Sequence, residues 1–365
     1  MEKKNSNNIF SIISIPKVNI LFEYKSSLNY IKNYSKRKKI NSKSKKICGA
    51  FIILFAIYLL YILIYRKTIN IKIRVSYNNI KTKLFKESKV CICTLGKREN
   101  LYIREYIEHY LNYGVYKINI CDNNDIDGEK FEDVIGDYIK EGYVHLFNWR
   151  GKKKAMFPMM EDCYAKNKDE CDWIMHPEID EFIHLYHNYS RVSTFLDEPK
   201  FKDCQLVYLN LICHTDNGHL YYENKPLKER FPETVSSSKI GGQVLEIKFI
   251  IRGHLENIHY FCVHRGTRKL RNCNGFGHKN KYRLFYTTEP DTEYYYYDHY
   301  YGKSTEEFIQ KVIRGDALRP WISFKLNRIE KYFNENELTL EKILLMENRT
   351  GYNLSIYKEK LKIKN

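Results

Sequence analysis

From Ser88 onward, apolar positions alternate between short continuous runs and runs spaced three and four apart. Lys89-Val90-Cys91-Ile92-Cys93-Thr94 reads as a short buried strand, and Arg104 to Tyr113 as a helix with Tyr106, Ile107, Tyr110 and Leu111 on one side. Lys117 to Cys121 reads as a second strand, which completes a βαβ unit. Asp127 to Glu141 predicts another helix and Val144 to Asn148 a third strand. Strands alternating with helices predict an α/β domain built on a mixed, mostly parallel sheet flanked by crossover helices.

A different pattern precedes this domain. Ile47 to Tyr65 is an uncharged apolar run of 19 residues, and at about 1.5 Å per residue it matches a hydrocarbon core of about 30 Å. It predicts a transmembrane helix, because a signal peptide would have a shorter apolar region nearer the start and a small-residue cleavage site. Lys36, Arg37, Lys38, Lys39, Lys43, Lys45 and Lys46 precede the run, whereas only Arg66, Lys67 and Lys72 closely follow it. The positive-inside rule then puts residues 1–46 in the cytoplasm and the rest on the lumenal side. The expected divisions are a basic, mostly disordered tail (1–46), the span (47–65), a stem (66–87), the α/β domain (88–345) and a C-terminal tail (346–365).

Charge changes little in this picture. The net +17 is concentrated in residues 1–46, where twelve Lys or Arg face only Glu2 and Glu23. The excess left for the rest of the chain is ordinary solvated surface, which gives no reason to expect a nucleic-acid partner. Sequons at Asn188, Asn348 and Asn353 are compatible with a lumenal position. Nine cysteines follow the span. An oxidising lumen permits disulfides among them, and the odd number leaves at least one outside any intrachain pair. Cys91 and Cys93 share one strand face and are expected to be a buried apolar pair without chemistry of their own.

Ligands of parallel α/β sheets gather at the carboxyl ends of the strands, so the loops after Thr94 and Cys121 are candidate nucleotide loops. Neither carries G-x-G-x-x-G or G-x-x-x-x-G-K-S/T, which argues against NAD enzymes, kinases and P-loop hydrolases. Glu99, Asp122, Asn123, Asn124 and Asp125 suit hydrogen bonds to a base and ribose, and they equally suit tight turns. Farther on, the buried run Asp172-Trp173-Ile174-Met175 leads into His176-Pro177-Glu178-Ile179-Asp180-Glu181-Phe182. In an extended chain Glu178 and Asp180 point to one side and can share a divalent cation or a ribose-diphosphate.

This segment resembles the W-I-x-F-x-D-x-D-E-F segment of family 92 glycosyltransferases and their GT-A relatives, with Glu178 where the first Asp is usual. Other blocks follow in order. Residues 93–106, from Cys93 to Tyr106, are similar to the opening K-N-E-x-x-Y-I-x-E-W block, and Cys121 to Asp125 to the Y-D-N loop. Asn217-Gly218-His219 with Glu229-Arg230-Phe231 resembles the S-x-G-H and E-R-F pair. Lys248 to Arg252 with His259 resembles K-x-I-V-R-P with a later His, and Tyr297 to Gly315 resembles the closing N-H-Y-x-x-K-S-x-E-E-F-x-x-K-x-x-R-G block.

The resemblance implies a GT-A-like fold and an inverting transferase that moves a hexose, with galactose as the guess, from a nucleotide sugar such as a UDP-sugar to a glycan acceptor. It implies Mn²⁺ or Mg²⁺ held by Asp180, Glu178 and His299. Glu99, Asp122, Asn123, Lys248, Arg252 and Lys303 are the expected donor-binding residues. An inverting transfer needs a carboxylate base, for which Glu229 and Glu181 are the candidates. The expected location is the Golgi or another secretory compartment. The competing reading is a membrane-anchored glycan-binding protein that keeps the fold without turnover.

Overall fold

The computed structural model describes residues 87–186, 188–235, 245–259, 270–279, 286–287, 291, 293–315 and 322–364, with helical positions Tyr58, Tyr61, Ile62 and Tyr65. Residues 1–73 and 74–365 form separate units, and the account below concerns the second. The expected span at 47–65 lies almost wholly outside the described residues. Among the described residues no helix is long and apolar enough to cross a membrane.

The expected βαβ start is present as β1 (Val90–Gly96), α1 (Ile103–Asn112) and β2 (Lys117–Asp122), followed by α2 (Glu132–Lys140), β3 (Val144–Asn148), α3 (Met156–Asn167) and β4 (Trp173–Met175). Helix α2 starts five residues later than the pattern predicts, because Asp125 to Glu129 form a loop gathered around Arg150. That guanidinium donates to the carbonyls of Asp125, Gly128 and Glu129.

Strands β5 (Glu181–Leu185), β6 (Leu206–Cys213), β7 (Leu245–Arg252), β8 (Asn272–Asn274), β9 (Tyr286–Thr287) and β10 (Tyr295–His299) complete the sheet among the described residues. Its order is β3-β2-β1-β4-β7-β6-β10-β5, with β8 beside β6 and β9 beside β7. Neighbours β1/β2, β2/β3, β1/β4, β6/β10 and β6/β8 are parallel, whereas β7 runs against β4 and β6, and β5 against β10. Strands β1, β2, β3, β4, β6 and β10 therefore end at one edge of the sheet, and β5 and β7 begin there.

The chain steps one way from β1 to β3 and then returns to β4. Right-handed crossovers consequently put α1 and α2 on one face and α3 on the other, and the reversal between β1 and β4 opens a crevice at the carboxyl edge. Strand β1, covered on both faces, is a nearly continuous buried run. Met156, Met159, Met160 and Cys163 of α3 pack with Cys91, Cys93, Ile174, Tyr208 and Phe249 on one side, while Tyr106 of α1 meets Phe182 edge-on. Gly96 ends β1 because a Cβ there would lie 2.5 Å from Phe131 and 2.7 Å from Ile179. Only hydrogen lets the Glu178–Asp180 loop close over this strand end.

Cys91 and Cys93 do not form an inert apolar pair. Cys91 bonds Cys171 and Cys93 bonds Cys163, and a third disulfide joins Cys204 to Cys273. The partners stand 80, 70 and 69 residues away in sequence, so local spacing carried no sign of them. Loops of that length make each bridge worth about 4 kcal/mol in the chain-entropy account. Among the described residues Cys121 and Cys213 are free thiols.

Four further helices, α4 (Val192–Leu196), α5 (Leu227–Arg230), α6 (Thr305–Arg314) and α7 (Ile322–Glu335), precede the C-terminal α8 (Leu340–Thr350) and α9 (Ser355–Lys364). The expected domain limit at 345 falls inside α8. Met346 and Leu354 pack with Phe308, Val312, Tyr332 and Ile343 in one cluster, so residues 346–364 belong to the folded domain instead of trailing from it. Buried Asp216, in the loop after β6, ties this layer down: Lys342 Nζ and Tyr332 Oη each lie 2.6 Å from its Oδ2.

Candidate active site

The carboxyl edge gathers an ionic cluster. Strand β4 delivers the loop His176–Asp180, which is folded back by two bonds: Glu181 N donates to Glu178 O, and Glu178 N to Glu181 Oε2. His299 ends β10, and the antiparallel register sets it directly opposite Glu181 on β5. Its Nε2 stands 3.8 Å from Asp180 Oδ1 and 3.9 Å from Glu181 Oε1. Residues more than a hundred positions apart in sequence thus share one small volume.

Three lysines face the three carboxyl groups. Fully buried Lys248 of β7 lies 2.7 Å from Glu178 Oε1 and 3.1 Å from Glu181 Oε1. Lys311 of α6 donates to Asp180 Oδ2 at 2.6 Å, with Lys303 Nζ 3.9 Å from the same oxygen. Burial opposes ionisation of Asp180, but Lys311 and then Lys303 outweigh it and hold its carboxyl well below the usual range. Glu178 is likewise lowered to about 2, where Lys248 overcomes burial. Glu181 goes the other way: burial first, then Glu178 and Asp180, push it up to about 8 against the pull of Lys248. Burial lowers His299 to about 3, so its imidazole is neutral at physiological pH.

Glu181 therefore affects stability with a definite sign. Its folded carboxyl holds a proton that the unfolded chain, with a value near 4.5, releases. This contribution is complete below about 4.5 and is lost as pH rises to about 8. Melting curves from pH 5 to 9 should show Glu181→Gln gaining on the wild type as pH rises. A parallel pH dependence in the two proteins would contradict this assignment.

Beside the cluster lies a cleft of about 320 Å³ lined by Arg98, Glu99, Lys303, Lys311 and Arg314, with Tyr102 and Tyr222 among its walls. Arg98 and Lys303 both hold left-handed backbone, at φ 53°, a conformation non-glycine residues rarely adopt and one that collects at functional sites. Glu99 is buried and its Oε1 receives Arg314, while Oε2 has no hydrogen-bond partner, Lys303 Nζ standing 3.9 Å off. The four cations share this cleft with the carboxylates of Glu99, Glu129, Glu306 and Glu307, so it offers donors to an anion and, at Glu99 Oε2, an acceptor to a hydroxyl.

The other expected donor residues are placed differently. Asp122 is engaged by Arg150 Nη1 at 2.7 Å and by Asn124 N, and Asn123 Nδ2 donates to the carbonyls of Trp149 and Lys152. Both shape the loop after β2 from within. Arg252 ends β7 at the opposite edge of the sheet, because that strand runs against its neighbours. It donates to the carbonyls of Cys204 and Phe201 and stacks over Trp173, which makes it a structural residue. Glu229 is exposed on α5, and the buried members of its block are Arg230 and Phe231. Sequence reasoning missed Lys311 and Arg314. Both stand in the closing K-x-x-R-G block, and their spacing of three on a helix puts them on one face; those were the available signals.

A metal ion needs donors at sharing distance. Adjacent ligands on one octahedral ion with bonds near 2.1 Å stand about 3.0 Å apart, so Asp180 Oδ1 and His299 Nε2, at 3.8 Å, would have to close in slightly to share one. Among the described residues no group of three or more His, Cys, Asp or Glu is arranged to hold a metal. The pair suits an ion whose remaining ligands come from substrate or water.

An α/β domain with paired acidic and basic side chains at its topological reversal is an enzyme-like scaffold for an anionic ligand. The chain belongs to glycosyltransferase family 92, whose model matches residues 86–331. Among its relatives, a family 92 protein of Oryza sativa subsp. japonica is 29% identical over 106 residues, which is 28% of this chain and 17% of that protein. One of Ricinus communis is 27% identical over 103 residues, 27% of this chain and 18% of the relative. The matches thus span under a fifth of those proteins. Among solved structures, S. aureus TarS 1–349 in complex with UDP-GlcNAc is similar at TM-score 0.33 and 11% identity, covering 72% of this chain and 80% of that one.

Proposed function

We propose that this chain is a membrane-anchored, inverting transferase of GT-A type that moves a hexose from a nucleotide sugar to a glycan acceptor. The observation that carries this reading is the meeting of Asp180 and His299, 3.8 Å apart, beside a cleft lined with Lys303, Lys311, Arg314 and Arg98. The four cations would bind the diphosphate, and Glu99 Oε2 would accept a ribose hydroxyl. Asp180 and His299 would hold Mn²⁺ or Mg²⁺, which supplies Lewis-acid stabilisation of the departing diphosphate. Of the two candidates for the base only Glu181 lies in the cluster. Because its carboxyl, raised to about 8, is mostly protonated at neutral pH, it would take the acceptor hydroxyl's proton only from its ionised fraction, so that turnover should rise towards pH 8.

The three disulfides favour an oxidising compartment, and the sequons at Asn188, Asn348 and Asn353 are exposed. Both support a lumenal domain in the Golgi or another secretory compartment, behind the apolar run at 47–65. Galactose from UDP-galactose is the first donor to try. Titration calorimetry of UDP- and GDP-sugars in the presence of Mn²⁺ should give one saturable donor and slow hydrolysis of it. If every donor fails to bind, the reading is wrong.

A further inference from the structure

Lys311 belongs to two places at once. Its Nζ is 2.6 Å from Asp180 Oδ2 and 3.2 Å from Tyr301 O, and the same side chain lines the cleft together with Arg98, Lys303 and Arg314. The other oxygen of Asp180 faces His299. One carboxylate therefore carries an ammonium on one side and the partner donor of a candidate ion on the other. Asp180 is 3% exposed, so water screens little of the repulsion between that ammonium and a divalent ion placed on the same group. A diphosphate entering the cleft is a stronger anion than Asp180 and competes for the lysine.

We propose that Lys311 exchanges between two anions, sitting on Asp180 while the cleft is empty and turning to the diphosphate when a nucleotide enters, so that nucleotide occupancy controls divalent-ion binding at Asp180 and His299. This rests on the nucleotide-sugar reading of the cleft. The linkage is reciprocal: whatever factor the nucleotide adds to ion affinity, the ion adds to nucleotide affinity. Lys303 is too far from Asp180, at 3.9 Å, to substitute without moving.

The test uses the full-length chain in mild detergent. Mn²⁺ binding is followed by the loss of the free-ion paramagnetic signal, and UDP or GDP binding is measured separately in chelator. Lys311→Met should bind Mn²⁺ alone about tenfold tighter than wild type and bind the nucleoside diphosphate about tenfold more weakly, with Lys311→Arg close to wild type in both. Mn²⁺ affinity unchanged or reduced in Lys311→Met overturns the exchange. If wild type binds neither UDP nor GDP, the donor-site reading falls and the exchange falls with it. If nucleotide binds but Lys311→Met gains nothing for Mn²⁺, only the exchange falls. Should Lys311→Met fold poorly, Mn²⁺ should raise the melting temperature of Lys311→Gln more than that of wild type, and an equal or smaller rise counts against the proposal.

Discussion

Asp180→Asn is expected to lower sugar transfer, or donor hydrolysis, by about a thousandfold while the chain stays folded. The substitution keeps the side chain's shape and leaves Lys311 an oxygen to donate to. It removes the negative charge that faces Lys311, Lys303 and His299. The deficit should sit in kcat, with a smaller change in donor affinity, because Lys303, Arg314 and Arg98 remain in the cleft. Mn²⁺ binding should fall with it. Steady-state kinetics beside far-ultraviolet circular dichroism checks both parts, and retention of a tenth or more of wild-type turnover would remove Asp180 from the chemistry.

The second large effect is on stability. Glu307→Ala should destabilise the domain by about 3–5 kcal/mol. Buried Glu307 receives Arg230 at 2.7 and 3.1 Å, the Tyr102 hydroxyl, and the backbone and hydroxyl of Ser304. Its removal strands a buried guanidinium and breaks the capping box that starts α6. Because α6 carries Lys311 and Arg314, the cleft should loosen as well. Replacing the pair together, as Arg230→Met with Glu307→Leu, should recover most of the loss, whereas Glu341→Ala, exposed on α8, should shift the denaturation midpoint little. Urea titration of the four proteins distinguishes these outcomes.

The sequence disclosed the first half of the fold more readily than the second, for a physical reason. Strands β1 to β3 and helix α1 are neighbours in both chain and space, so the run-and-period pattern of each element also gives its partner. The insertion of β7 between β4 and β6, and of β10 between β6 and β5, depends on pairings between distant segments. Nothing within a strand encodes which remote edge it will meet. Arg252 shows the cost of that ignorance: a residue at the end of a strand looks like a ligand candidate until the strand's direction is known.

Within the site, Glu178, Asp180 and Glu181 were legible because carboxylates crowded behind a Trp-Ile-Met run have no easy structural excuse. His299 would have passed as one more aromatic in a Tyr-rich strand without the closing block around it. Lys248 was expected to pair with phosphate, but it lies fully buried against Glu178 and Glu181. Lys311 stands in the closing K-x-x-R-G block, but nothing in the block says that it turns inward onto Asp180. Cys91 and Cys93 escaped because a covalent bond to a residue seventy or eighty positions away leaves no trace in the strand's own periodicity.

The grip of Tyr332 and Lys342 on Asp216 bears on how such proteins are delimited. The interval matched by the family ends at residue 331, one position before Tyr332. A coding sequence clipped to that interval would retain every motif residue yet lose the buttress behind α6. Enzymes catalogued by motif alone can thus be cut short of the scaffolding that keeps their lysines aimed.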